Sequence, residues 1–226
     1  MDKLKLELPL VIGVMRRAGY KVNDKPGELN IVGVRKDSTT PNTFNDSIYI
    51  FYKNDSGNWE GFKTAATTDP GTYWLNNPML PQGTAILRSG QYDYKLGSHR
   101  GYTAFNQAQP VTVIRDYNRD AILDFNNGTQ ESGYFGINIH RAGANATGQL
   151  VDKWSAGCQV IADPGDFNKL IELARSHVAK YGNYFKYTLL DERALERKKK
   201  RYFVYGGIGL VTVASALFFL IRKFKK

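Results

Sequence analysis

A chain of 226 residues, 42% hydrophobic and 23% charged, can bury a full core and suits one domain of roughly 150 residues plus extensions. Its single cysteine excludes an intramolecular disulfide and a multi-cysteine zinc site. Of the formal net charge of +10, the segment from Asp191 onward carries +7, so residues 1–190 hold only +3, too little for a phosphate-tracking surface; no nucleic-acid partner is expected.

The opening MDKLKLELPLVIGVMRRAGY reads as a helix closed by Arg16, Arg17 and the stop residue Gly19, within a lead-in of residues 1–27. Its apolar run, Leu8 to Met15, is short, follows Asp2 and Glu7 and lacks a small-residue cleavage site, so it is not read as an export signal. The β-branched and aromatic runs LNIVGVR (29–35), SIYIFYK (47–53) and WEGFKTAAT (59–67) predict strands, with NDSGN as a hairpin turn between the last two. Gly, Pro and Asn punctuate residues 67–87, and further strands are predicted at 109–116 and 134–140.

A glycine-rich loop, RAGANATGQ, and the segment WSAGCQVIADPGDF follow. Asp163 is the expected N-cap and Pro164 the first residue of a helix whose apolar positions are 167, 170, 171, 174 and 178. His177 on that helix is read as facing solvent. YFKYTLL (184–190) closes the main domain, residues 28–190, and DERALERKKKR (191–201) makes a basic stem.

Residues 202–221, YFVYGGIGLVTVASALFFLI, are uncharged and mostly apolar, long enough at about 1.5 Å each to cross the roughly 30 Å hydrocarbon layer. Basic clusters flank both ends, the second being the tail 222–226, and Tyr202, Phe203 and Tyr205 fall where an aromatic belt would lie. A single C-terminal transmembrane helix and a lipid-bilayer partner are therefore expected. With both flanks basic, orientation is left open.

Cys158 is a small core residue or a nucleophile, and a nucleophile needs a base to make its thiolate. Of the three histidines, His99 lies in the loop GSHRGY between predicted strands, where it can line a cleft or sit on a plain surface. His140 ends the strand-like GYFGINIH, where alternation sets Asn138 and His140 on one face and Ile137 and Ile139 on the other. Eighteen residues later comes Cys158, bracketed by Ser155 and Gly157; the glycine permits close backbone approach, and neighbouring amides can hold an oxyanion.

The pattern IHRAG, a loop, then SAGC resembles the catalytic motif of the L,D-transpeptidase catalytic-domain family, a histidine followed after a loop by Ser/Thr-His-Gly-Cys. His140, Ser155, Gly157 and Cys158 match, and TTDPGTYW (67–74) resembles that family's Thr-Pro-x-Gly-x-aromatic turn. Arg141, Ala156 and Gln159 depart from the pattern, standing where glycine, histidine and arginine or asparagine are usual. The resemblance implies a mostly β, sandwich-like fold with flanking helices and no cofactor or metal. It implies His140 as general base and acid, the Arg141 carbonyl as orienter of the imidazole, and Cys158 as the acylated group. Tyr73, Trp74, His99, Trp154, Ala156 and Gln159 are the expected substrate contacts.

The activity so implied is acyl transfer on peptidoglycan stem peptides, ending in hydrolysis or in a cross-link, at a bacterial envelope or virion membrane. A lytic or remodelling enzyme, for instance phage-encoded, fits the lack of a clean export signal. Two alternatives stand beside it: a non-catalytic membrane-anchored envelope or virion protein that keeps the fold as a binding module, and a tail-anchored cytosolic thiol enzyme with another amide substrate.

Overall fold

The three β-branched runs that open the main domain pair as their alternation requires. In the computed structural model, which describes residues 3–144 and 150–196, β1 (Asn30–Arg35), β2 (Asp46–Lys53) and β3 (Trp59–Thr67) form an antiparallel meander. The small strands β4 (Thr84–Leu87), β7 (Val111–Asp116) and β8 (Gln130–Gly133) make a separate three-stranded sheet in the order β4-β7-β8. The other strands are β5 (Gly90–His99), β6 (Tyr102–Gln107), β9 (Ile139–Arg141), β10 (Gln159–Ile161) and β11 (Phe185–Asp191). Together with the meander they close a barrel in the order β1-β11-β5-β6-β9-β10-β3-β2. Helices are α1 (Lys3–Arg17), α2 (Thr72–Asn76) and α3 (Pro164–Tyr181), with a helical stretch at 192–196.

The expected sandwich is overturned by this closure. β1 bonds β2 on one side and β11 in parallel on the other, from Ile31↔Tyr187 to Arg35↔Asp191, while β3 bonds β10. Strands that would be sandwich edges are thereby paired, which is how a barrel removes its edges. Residues 134–140 form a strand only at their end, because Gly136 turns to φ 69° and the Gln107 side chain takes the Phe135 and Ile137 amides in place of a ladder partner. Among the described residues no helix is long and apolar enough to cross a membrane; the expected span at 202–221 and the tail 222–226 lie outside the described residues.

The two faces of the meander go to different cores. Ile31, Ile48, Ile50 and Ala66 join Tyr94, Phe105, Ile139, Ile161 and Tyr187 with Phe167, Leu170 and Ala174 of α3 in the main cluster. The alternate residues Val32, Val34, Tyr49 and Phe51 pack against Leu8, Val11 and Met15 of α1. At roughly 1.5–3 kcal/mol per fully buried aliphatic side chain, these three hold α1 on the barrel.

His177 is a correction of the solvent-facing reading. It is 2% exposed because it follows Ala174 by three residues and Leu170 by seven, on the same helical stripe. Its Nδ1 accepts the Leu29 N–H at 3.0 Å and its Nε2 donates to the Tyr184 carbonyl at 3.1 Å, so both ring nitrogens are spent on the fold.

A buried polar cluster ties the TTDPG turn to the meander. Arg35 reaches Asp69 at 2.7 Å and donates to the Thr68 and Leu87 carbonyls. Asp46 accepts both the amide and the hydroxyl of Thr68. Burial pushes the Asp69 carboxyl up to about 7 against the pull of Arg35.

Candidate active site

The cysteine loop is shaped by its own short side chains. Ser155, fully buried, donates its hydroxyl to the Cys158 carbonyl at 2.7 Å and accepts the Gly157 amide at 3.1 Å, a local turn that competes with regular structure. Gly157 sits at φ 119°, and a Cβ there would meet the Ala85 carbonyl oxygen at 2.3 Å; only glycine fits. The loop ends at once in β10.

β10 runs parallel to β9, with Gln159 opposite Ile139 and Val160 opposite His140. This register brings the nucleophile candidate level with Asn138, two residues before the histidine. The Cys158 sulfur accepts the Asn138 amide at 3.5 Å, and its thiol donates to the Gly136 carbonyl at 3.4 Å. Burial pushes the thiol up, partly opposed by the Asn138 amide and the charge of Arg100.

His140 is 3% exposed. Its Nδ1 lies 2.7 Å from the Arg141 carbonyl oxygen, and since a carbonyl only accepts, Nδ1 carries the proton and Nε2 is the basic nitrogen. Burial, with His99, Arg100 and Arg141 nearby, lowers its pKa to about 4 despite that hydrogen bond. Cysteine and histidine are thus both neutral at pH 7, and a proton would move between them only as attack proceeds.

His99 ends β5 rather than lying in a loop. Arg100 (φ 47°) and Gly101 (φ 86°) form a two-residue hairpin turn, with His99 opposite Tyr102. The His99 ring stacks on His140 at 4.3 Å and 14°, and Asn138 donates its side-chain amide to His99 Nδ1 at 3.2 Å. Burial and Arg100 lower the His99 pKa as well, so the stack is one of two neutral rings.

Two hollows flank this centre. The smaller, about 180 Å³, is lined by His99, Tyr102, His140, Arg141 and Trp154. The larger, about 330 Å³, is lined by Trp74, Met79, Thr84, Arg115, Phe135 and Ala156, so Ala156 leaves open a wall that a larger side chain would fill. Trp74 and Tyr73 meet edge to face at 5.0 Å, Lys153 lies over the Tyr73 ring, and Trp74 Nε1 donates to the Lys153 carbonyl. A bigger groove of about 710 Å³, lined by Tyr52, Trp59, Phe62, Lys169 and Glu172, touches none of these residues.

The two sequence motifs meet in space. Thr67 pairs with Val160, and the Gly71 amide donates to the Ser155 carbonyl at 2.9 Å. Gln159, expected at the substrate, is instead fully buried. Alternation turns it inward with Ile161, where it donates to the Thr68 and Gly157 carbonyls and accepts the Tyr187 hydroxyl. Sequence reasoning missed Tyr102, Arg100 and Gly136, and set Asn138 on the face of His140 without giving it a role; of the first three only the Arg-Gly turn left a signal, as a two-residue hairpin between His99 and Tyr102. Among the described residues no group of three or more His, Cys, Asp or Glu side chains gathers about a metal position.

Comparison of the chain with family models, with curated proteins and with solved structures returns no match.

Proposed function

We propose that this chain is a cysteine acyltransferase or amide hydrolase of peptidoglycan stem peptides, as the resemblance of its site motif to the L,D-transpeptidase catalytic-domain family implies. The observation that carries the reading is the pairing of β9 with β10. It sets on the neighbouring strand, two register positions on from Cys158, a histidine whose Nδ1–H is spent on the Arg141 carbonyl and whose ring lines a hollow. In this reading the apolar stretch 202–221 holds the enzyme at a membrane, on the strength of its composition and basic flanks alone.

His140 Nε2 takes the thiol proton as sulfur attacks the amide carbonyl, and the oxyanion forms against the Cys158 amide, for which no acceptor occurs among the described residues. The C–N bond then breaks, His140 protonates the leaving amine, and a thioester remains on Cys158. Water or a second amine, deprotonated by His140, attacks that thioester and regenerates the thiol. The thiol must first turn from the Gly136 carbonyl, a rotation about one side-chain bond.

That resting hydrogen bond is also what favours the second reading, a non-catalytic binding module whose cysteine is merely packed. Purified muropeptides incubated with the full chain in detergent separate the two. Stem-peptide bonds lost, or cross-links gained, in wild type but not in Cys158→Ala support the enzyme, and unchanged muropeptides with both proteins exclude it for this substrate.

A further inference from the structure

The strand β7 runs into DYNRDAILD, residues 116–124, which places oxygen-bearing side chains at Asp116, Asn118, Asp120 and Asp124. Counted from Asp116 these are positions one, three, five and nine, the spacing with which calcium loops gather their ligands, position seven giving a main-chain carbonyl, here that of Ile122. No metal is expected from the rest of the sequence, and this loop takes no part in the chemistry of Cys158.

The packing gives an independent reason to look for a cation. Asp116 is fully buried, and its Oδ1 has no hydrogen-bond partner. Its Oδ2 accepts the Asp124 amide at 3.0 Å, which turns the carboxylate toward the loop. None of the three carboxylates enters an ion pair among the described residues: Arg115, next to Asp116, is engaged by Glu131, and Arg119, next to Asp120, pairs with none of them. A buried carboxylate oxygen without a partner is costly, and buried charges are normally paired or bound to metal.

Asn118 occupies the place between the other two. Its Nδ2 donates to Asp120 Oδ2 at 3.0 Å and to Asp124 Oδ2 at 2.7 Å, so one positive amide edge bridges two carboxylates. As placed, the acidic side chains do not converge on one point. Half a turn of the Asn118 amide, which exchanges Nδ2 for Oδ1 without moving the backbone, would replace the donor by a further oxygen ligand, giving up the 3.3 Å hydrogen bond that Oδ1 accepts from the Asp120 amide.

We propose that Asp116, Asn118, Asp120 and Asp124, with the Ile122 carbonyl, form a calcium-binding loop. Hard oxygen donors in a flexible loop suit Ca²⁺ better than Mg²⁺, which demands near-ideal octahedral geometry. The loop departs from the helix–loop–helix calcium motif at Ala121 and Asn127, where that motif has glycine and a bidentate glutamate; its positive φ falls at Arg119 instead. With one carboxylate fewer, its affinity belongs to the weaker classes, about 10⁻⁵ to 10⁻³ M. Calcium here would stiffen a cleft wall, since Asp116 pairs with Thr84 and Leu123 packs on Leu75 and Ile86.

Tyr117, exposed beside Asp116, is a built-in sensitiser for terbium. Titration of the full chain in detergent with Tb³⁺ is expected to give luminescence that saturates at one equivalent and is reversed by excess Ca²⁺. The double variant Asp120→Asn/Asp124→Asn, both positions lying outside the core, is expected to weaken binding at least tenfold. Millimolar Ca²⁺ is expected to raise the Tm of wild type by about 3–8 °C, and that of the variant by far less. Equal terbium signals from both proteins, a Tm shift kept in the variant, no shift in wild type, or an equal response to Mg²⁺ would each overturn the assignment.

Discussion

His140 and His177 are both buried, both neutral and both bonded to a main-chain carbonyl, yet they differ in one nitrogen. His177 gives Nε2–H to Tyr184 and takes the Leu29 amide on Nδ1, so nothing is left for chemistry. His140 gives Nδ1–H to Arg141 and leaves Nε2 without a hydrogen-bond partner among the described residues, in a ring that lines a hollow next to the cysteine strand. Burial and a lowered pKa occur at both. What distinguishes a candidate base from a structural histidine is therefore the basic nitrogen it holds back, more than how its pKa has moved.

Exchanging each ring gives the widest separation. His140→Gln should lower turnover by about 10²–10⁴-fold while leaving Tm within a few degrees, as expected for loss of a general base. His177→Leu should do the reverse, costing about 1–3 kcal/mol of stability for each polar main-chain group left unpaired, with kcat unchanged. Chemical denaturation and steady-state turnover measured on the same samples check both, and a turnover loss from His177→Leu matching that from His140→Gln would erase the distinction.

Acid sharpens it next. With its folded pKa at about 4 and its unfolded value near 6.5, His140 binds fewer protons in the folded state between those limits. Stability is therefore full above about pH 6.5 and falls as pH drops toward 4, by about 3 kcal/mol. His177, shifted the same way by burial, adds to that slope. Catalysis behaves differently, because the base stays unprotonated: the acid limb of kcat/KM should centre near pH 4 rather than 6.5. A limb at the ordinary histidine value would place another group in the role.

The smallest effect is expected at Arg141. Its carbonyl, not its side chain, orients His140, so Arg141→Gln should change turnover by no more than about threefold, well under the 1.4 kcal/mol of a tenfold change. A loss of a hundredfold would mean that the guanidinium, which lies over the Tyr102 ring, acts on substrate directly.

Much of this site was legible in the sequence, and the parts that were not share a physical reason. Cys158, Gly157, Ser155 and His140 stand out because a nucleophile, a positive-φ turn and a strand-end base carry residue-type signals. The N-cap of α3 was equally plain, Asp163 accepting the Asp166 amide behind Pro164. Barrel closure was not legible, since the parallel pairing of β1 with β11 joins segments some 150 residues apart. β5 was missed because GQYDYKLGSH is polar and glycine-containing, its place set by neighbours on both sides. Gln159 and His177 show tertiary context overriding polarity: each lies on a buried stripe that its period marks, and each satisfies its polar atoms against main chain or tyrosine.

The account's central claim is that Cys158 is acylated with the help of His140. Intact-mass analysis of the full chain after exposure to a stem tetrapeptide, or to a carbapenem-type acylating agent, tests it most directly. The account predicts one covalent adduct that maps to Cys158, absent in Cys158→Ala and formed at least a hundredfold more slowly in His140→Gln. An unmodified wild type, or adduct formation at equal rates in wild type and His140→Gln, would contradict it.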